Sequence, residues 1–338
     1  MITVRAPFRL PLGGGGTDLP AYYKNHEGFL ITAAINKYMF ININEPAVVN
    51  TIKINYSKTE VVLPNEIHKI KHEIVRETLK YLKMYYPLEI SSMADLSAGT
   101  GMGSSSSYTV ALLKGLNQIK RRYLPIQELA EEACKIEIEL IGKPIGKQDQ
   151  YAAAYGGIIQ LDIDNLGEVT VTPLELDPEI IYEMEHRLMM FYTNIDRDAN
   201  KILAEQSQKI ADAKTTKKVD TMDALRAMHK IKEIGREVKN ALITGDIDGF
   251  GQLLHEHWLV KKSVSQQMSN SEIDQWYTHA RNNGAIGGKI MGAGGGGFLL
   301  LCVENGRRKE LRKAMEEQGL QYMDFKFDWE GVKVLVNI

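Results

Sequence analysis

The stretch Gly99-Thr100-Gly101-Met102-Gly103-Ser104-Ser105-Ser106-Ser107 decides how this chain is read. Leu88 to Leu96 before it has the composition of a strand, and Tyr108 to Ile119 after it has helical spacing. The order is strand, glycine loop, helix. Glycines in such a loop let backbone N–H groups converge on one point. The unpaired N–H groups of the helix's first turn and its dipole add positive potential there. Serine hydroxyls at the cap can donate to a phosphate or ligate Mg²⁺. The competing reading is a serine N-cap on a flexible turn. A Walker A loop is excluded, because no Gly-Lys-[Ser/Thr] follows at that motif's spacing.

Two further clusters, Gly13 to Gly16 and Gly292 to Gly297, hold many of the chain's 29 glycines. Gly292, Gly294 and Gly297 match G-x-G-x-x-G, but the segment after them, Phe298 to Val303, reads as a strand. The dinucleotide fingerprint needs a helix there, so an oxidoreductase is a poor reading. This turn would pack its backbone on a neighbouring loop or on substrate, or be a plain hairpin turn. The first cluster runs into Thr17-Asp18-Leu19-Pro20. Asp18 would either cap a helix over Leu19 to Asn25 or accept hydrogen bonds from sugar hydroxyls beside bare backbone.

Outward from these loops, Thr3 to Leu12 and Phe29 to Asn44 read as strands, and Ile67 to Tyr86 as a helix. Ile126 to Leu140 is the best amphipathic helix of the first half, with a stripe of Ile126, Leu129, Ala133, Ile136 and Leu140. Glu137 falls within roughly 40° of the stripe's centre. A carboxylate facing a core needs a cation, so Glu137 is either a core salt bridge or a metal ligand. Asp149 lies in Gly146-Lys147-Gln148-Asp149-Gln150 and is either a helix-start carboxylate or a functional one. Ile158 to Ile163 and Val169 to Leu176 read as strands, and Pro173, Asp177 and Pro178 mark a boundary between segments 1–177 and 178–338. The second segment reads as a strand over Leu188 to Tyr192 and three or four helices across 198–265. A helix over Glu272 to Asn282, strands Ala285 to Met291 and Phe298 to Val303, a helix over Arg307 to Gln318 and a closing strand Tyr322 to Phe327 follow.

The 338 residues suffice for a large core without staples. Lys plus Arg is 41 and Asp plus Glu is 43, a net charge of −2. That balance excludes nucleic acid or an anionic membrane as the main partner. Cys134 and Cys302, the two cysteines, sit in apolar stretches and read as buried thiols of a reducing compartment. No signal peptide or membrane span is visible, so a cytoplasmic location is expected. The eight histidines show no metal-ligand spacing; His255 and His257 would point to different faces of a helix.

Taken together, these segments resemble the GHMP kinases. The resemblance runs from Arg5 to the end and carries three motifs in order: Arg5-Ala6-Pro7-Phe8-Arg9-Leu10 with Thr17-Asp18, then Gly101-Met102-Gly103-Ser104-Ser105, then Lys289-Ile290-Met291-Gly292-Ala293-Gly294-Gly295-Gly296-Gly297. Ser97 stands where the family has proline, Ser106-Ser107 where it has alanines, and Met291 where it has a small hydroxyl residue. The implied fold is α+β: a ribosomal protein S5 domain 2-like N-terminal domain, then a ferredoxin-like C-terminal domain. Gly14 to Pro20, Gln148 to Ala153 and Tyr192 to Arg197 resemble the branch that phosphorylates the anomeric hydroxyl of D-glycero-D-manno-heptose 7-phosphate to the 1,7-bisphosphate.

The resemblance implies ATP and Mg²⁺ as cofactors and a small sugar phosphate as partner, in a monomer or homodimer. It implies Asp149 as catalytic base with Arg9 beside it. Gly99, Gly101, Gly103, Ser104, Ser105 and Ser106 would hold the phosphates, and Ser105 and Glu137 the metal. Asp18, Gly15, Gly16, Thr17, Arg197, Gly294 and Gly295 would bind the substrate. Arg197 and Lys147 are candidates for its 7-phosphate, against the alternative of solvated surface charges. Rival readings are another sugar 1-kinase, such as an L-fucose kinase, or a non-catalytic sugar- and ATP-binding regulator.

Overall fold

Alternating, then continuous, apolar residues carry Ile2–Gly13 (β1) into the middle of a sheet, with its second half buried on both faces. A computed structural model describes residues 1–195, 199–212, 219–264 and 268–338. After β1 come Pro20–His26 (α1) and Gly28–Asn44 (β2). β2 is one strand of 17 residues and lies antiparallel to β1. Their register slips at Pro7/Phe8 and again at Pro11/Gly13. Both slips fall at prolines, which have no N–H to give the ladder.

Ile52–Asn55 (β3), Thr59–Val62 (β4) and Leu88–Ala94 (β5) extend the sheet beyond the second half of β2. Ile158–Ile163 (β6) and Val169–Pro173 (β7) extend it beyond the first half. Glu73–Tyr81 (α2), Ser104–Ile119 (α3), Ile126–Cys134 (α4) and Gln148–Tyr155 (α5) complete this part, with α3 at its centre, packed on β1 and β2.

In the second part, Pro178–Arg187 (α6) leads into Leu188–Tyr192 (β8). Ala199–Asp212 (α7), Val219–Thr244 (α8), Ile247–Val264 (α9) and Ser271–Asn282 (α10) follow. Ala285–Ile290 (β9), Phe298–Val303 (β10), Arg308–Glu317 (α11) and Gln321–Met323 (β11) come next. The second sheet is ordered β11-β8-β10-β9 and has its own core of Met189, Phe191, Trp258, Ile290, Leu299 and Leu301. Among the described residues no helix is long and apolar enough to cross a membrane.

Four expectations need correction. The helix expected over Ile67 to Tyr86 is a 3₁₀ segment, Pro64–Lys69, and then α2, which the side chain of His72 caps. The closing strand is only β11; Phe327 instead bridges to Ile35 of β2. The chain then ends in Lys333–Asn337 (β12), which pairs with β1 in the first sheet rather than staying with segment 178–338. Finally, Ile126 to Leu140 is not one α-helix. After α4 the backbone widens into a π-helical segment, Lys135–Leu140. Its wider turn carries Leu140 out of the expected stripe: Leu129, Ala133 and Ile136 are buried and Leu140 is exposed, as is Ile126 at the start of α4.

Helix α9 lies on β9 backbone to backbone. A Cβ on Gly287 would sit 2.0 Å from the Gly251 carbonyl oxygen, and one on Gly251 would sit 2.8 Å from Ile286 Cγ2. This close approach sets how far α9 stands from the strand that carries Lys289. Gly287→Ala should therefore destabilise the fold by about 1–3 kcal/mol, as overpacking does. The check is a lowered urea midpoint with an unchanged slope.

Candidate active site

The glycine loop ends at Gly103, which caps α3 with φ of 79°. The helix thus begins at Ser104, and the serine run forms its first turn rather than a separate turn before it. A Cβ at Gly103 would lie 3.1 Å from Asp149 Oδ2 and 3.3 Å from Arg9 Cγ. Only glycine suits both that backbone angle and that space. Arg9, on β1, grips Asp149 in the first turn of α5: Nε donates to Oδ1 at 2.6 Å and Nη2 to Oδ2 at 3.0 Å. Its third arm, Nη1, donates to the Gly101 carbonyl, and its backbone N–H donates to that of Met102. Two residues 140 apart in sequence and the loop between them are thereby locked together.

Glu137 is fully buried in the π-helical segment. Ser105 Oγ and Lys143 Nζ donate to its Oε1 at 2.6 and 2.9 Å, and Gln150 Nε2 donates to its Oε2 at 2.9 Å. As folded here it is a core salt bridge whose serine partner sits on the phosphate-loop helix. A carboxylate and a hydroxyl oxygen also suit Mg²⁺, which takes oxygen ligands and leaves its other positions to water and phosphates. Among the described residues no three His, Cys, Asp or Glu gather as a metal cage. Glu137 and Ser105 are the residues here that could hold such an ion.

Asp18 does not cap α1. The N-cap is Leu19, with no side-chain bond, and Pro20 begins the helix. Asp18 instead accepts from the N–H of Gly16 and of Gln148, each at 3.0 Å. Burial pushes its carboxyl up from the usual range, and the nearby charge of Asp149 adds to this. A Cβ on Gly146 would lie 1.9 Å from Asp18 Oδ2, so Gly146 makes the seat for this carboxylate.

The cleft has two halves. Gly99, Gly101, Gly103, Ser104, Ser105, Ser106 and Lys143 line one; Gly15, Gly16, Asp18, Gln148, His257, Lys261 and Lys289 line the other. Arg9, Asp149, Ile145, Leu203, Gly292 and Ala293 line both. The Arg9–Asp149 pair thus stands at the junction.

Several expected substrate contacts lie elsewhere. The Thr17 hydroxyl is buried between the backbones of Gly14 and Phe29 and clasps the first glycine turn. Gly294 and Gly295 pack on Met268, so the third glycine turn offers Gly292 and Ala293 to the cleft instead. Lys147 is bound to Glu131 and to the Gly167 carbonyl, away from the cleft. Arg197 lies outside the described residues. Sequence reasoning missed His257, Lys261, Gln148 and Lys143, and gave Lys289 no role. Lys289 opens the third motif, and His257 and Lys261 are four apart on one face of α9, which was the available signal.

Comparison with known proteins places this architecture. Residues 70–157 match the GHMP kinases N terminal domain, and residues 238–321 match the GHMP kinases C terminal domain. The chain belongs to the GHMP kinases, enzymes that transfer phosphoryl groups, and it is a sugar kinase of that family. It is 32% identical to the D-glycero-alpha-D-manno-heptose 7-phosphate kinase of Campylobacter jejuni, over 98% of both chains. It is 26% identical to the galactokinase of Pyrococcus furiosus, over 99% of this chain and 97% of that one. A crystal structure of a D-glycero-D-manno-heptose 1-phosphate kinase from Bacteriodes thetaiotaomicron superposes with a TM-score of 0.82 at 27% identity, over the whole of both chains.

Removing Glu137 would strand the partly buried ammonium of Lys143 and the buried amide of Gln150. Glu137→Ala should therefore cost about 3–5 kcal/mol of folding free energy, as breaking a buried pair does. Chemical denaturation would reveal it, with Glu137→Gln less affected.

Proposed function

We propose that this kinase transfers the γ-phosphate of ATP to the anomeric hydroxyl of D-glycero-D-manno-heptose 7-phosphate, giving the 1,7-bisphosphate and ADP. The observation that carries the reading is the Arg9–Asp149 pair at the junction of a phosphate-loop half and a sugar-binding half of one cleft. Asp149 takes the hydroxyl proton as the new O–P bond forms and the bond to ADP breaks. An anomeric hydroxyl is more acidic than an ordinary alcohol, so a carboxylate suffices as base. Arg9, always charged, holds Asp149 in place and faces the transferred phosphoryl group.

The loop N–H groups and the start of α3 cradle the triphosphate. An apolar groove beside Ser104 and Ser105, walled by Tyr56, His72 and Tyr108, suits the adenine ring. Glu137 and Ser105 would hold Mg²⁺, which supplies positive charge to the β- and γ-phosphates. Asp18 and the Gly15-Gly16 backbone receive the sugar hydroxyls. Likeness to the Campylobacter jejuni enzyme across nearly the whole chain supports heptose 7-phosphate over other sugars. Buried free thiols at Cys134 and Cys302 are consistent with a cytoplasmic site of action.

The test is ADP release with a panel of acceptors. Heptose 7-phosphate should be turned over best; preferential turnover of free L-fucose or another unphosphorylated hexose would replace this acceptor. Failure of every acceptor in the panel to release ADP would replace the catalytic reading with a sugar- and ATP-binding regulator. Asp149→Asn should lower kcat by about 10²- to 10⁴-fold, the range for loss of a general base, with the KM for ATP little changed. Near-normal turnover would refute Asp149 as the base.

A further inference from the structure

Among the described residues, the half of the cleft that holds Asp18 is also lined by three basic side chains besides Arg9. His257 and Lys261 stand one turn apart on α9, and Lys289 stands on β9 opposite them. His257 and Lys289 are each 2% exposed. Lys289 Nζ donates to the Leu12 carbonyl at 3.0 Å and to His257 Nδ1 at 3.3 Å. While Lys289 carries its full proton count the ammonium can only donate, and the neutral imidazole then keeps its own proton on Nε2. That Nε2 is buried and meets no hydrogen-bond partner among the described residues. The same holds for Nε2 of Gln148, which lines the same half. Lys261 Nζ donates to the carbonyl of Gly292, and among the described residues no ion pair includes Lys289.

Two orphaned donors and the buried Lys289, which has no ion-pair partner among the described residues, ask for one ligand group with several acceptor oxygens and negative charge. Uncharged sugar hydroxyls would satisfy the donors but not the charge. Burial and the charges of Lys261 and Arg9 push the Lys289 ammonium well down; burial and both lysines do the same to His257. A bound dianion would lift that penalty. The β- and γ-phosphates of ATP are not the ligand that fits, since none of these cationic side chains lines the glycine-loop half. The two carboxylates that share the half are already covered: Asp149 by Arg9, and Asp18 by two backbone N–H groups.

We infer that Lys289, His257, Lys261 and Gln148 form the subsite for the phosphate monoester of the acceptor sugar. The inference rests on the acceptor reading above and gives it a physical basis. The carboxylate wall, built from the first sheet and α5, takes the reacting end of the sugar. The cationic wall, built from α9 and β9, takes the phosphorylated end. A free sugar leaves the second wall's donors empty, so the site selects for the phosphate by leaving buried donors unmet without it.

The experiment compares kcat/KM for heptose 7-phosphate with that for the same heptose lacking the phosphate. It uses wild type, Lys289→Met, His257→Gln and Lys261→Met. In the variants the ratio should fall at least tenfold, through a raised KM for the phosphorylated acceptor, with the KM for ATP little moved. Equal losses on both acceptors would mean that Lys289 is only a strut to Leu12, and would overturn the subsite. So would a raised KM for ATP alone. A wild type that prefers the free sugar overturns the acceptor reading itself. A wild type that prefers the phosphate, with variants that keep the preference, overturns only the subsite. If Lys289→Met does not fold, His257→Gln and Lys261→Met carry the same comparison. Titration of the wild type and these variants with heptose 7-phosphate then reads affinity without turnover.

Discussion

The ion pair between Arg9 and Asp149 fixes where every other group in the cleft can stand. One guanidinium uses two arms on the carboxylate and a third on the Gly101 carbonyl, so three separate pieces of chain share a single rigid joint. A half-buried pair gains little when its desolvation is not repaid. Here the planar fork of arginine satisfies carboxylate and loop at once, which a lysine could not do. Gly103 is a consequence of that joint. Any side chain there would push into Asp149 or Arg9, and the backbone already stands at positive φ. The glycine of a phosphate loop is usually explained by what the ligand needs. At this position the protein's own ion pair demands it as well.

Glu137 shows where one-dimensional reading works and where it stops. Its place on an apolar stripe correctly pointed to a buried carboxylate with a cationic partner. The partner, Lys143, lies six residues on, beyond the helix, and the stripe itself broke at the π-helical segment. Helical periodicity assumes a constant residue count per turn, so a widened turn is invisible to it. The cap reading of Asp18 failed for a different reason. An aspartate two residues before the proline of a helix looks like a cap, yet the N–H group it meets at Gln148 is 130 residues away. Thr17 and the pair Gly294 and Gly295 were drawn into the site by neighbours that do reach it. Sequence adjacency cannot tell which side of a tight turn faces the cleft. The three motifs, by contrast, needed only the local order of a strand, a glycine turn and the helix or strand after it, and that order is what the chain itself encodes.

The second wall was harder to see because its members come from two elements of the second sheet layer. His257 and Lys261 read as one face of an amphipathic helix. Lys289 reads as the charged residue of an otherwise buried strand. Only the approach of α9 to β9, allowed by Gly251 and Gly287, puts them together. Lys289 then reaches across to the Leu12 carbonyl on β1, and β12 returns the end of the chain to the first sheet. Both connections hold the walls of the cleft at a set spacing.

That spacing matters because the chemistry asks little covalent work of the protein. Phosphoryl transfer is accelerated mainly by holding the reactants in line and by meeting charge with fixed charge. Groups that must reorganise at the moment of transfer lose much of that advantage. In this cleft the two carboxylates sit between β1 and α1 and on α5, the lysines and imidazole on α9 and β9, and each is held by backbone or by a neighbour that has little freedom. The cost is visible in the fold: a carboxyl raised by burial at Asp18, buried cations at Lys289 and Lys261, and donors left empty at His257 and Gln148. A protein selected for stability alone would have replaced these with apolar residues. On the proposed function, a substrate carrying hydroxyls at one end and a dianion at the other completes them, so that binding relieves a burial penalty that folding has already met.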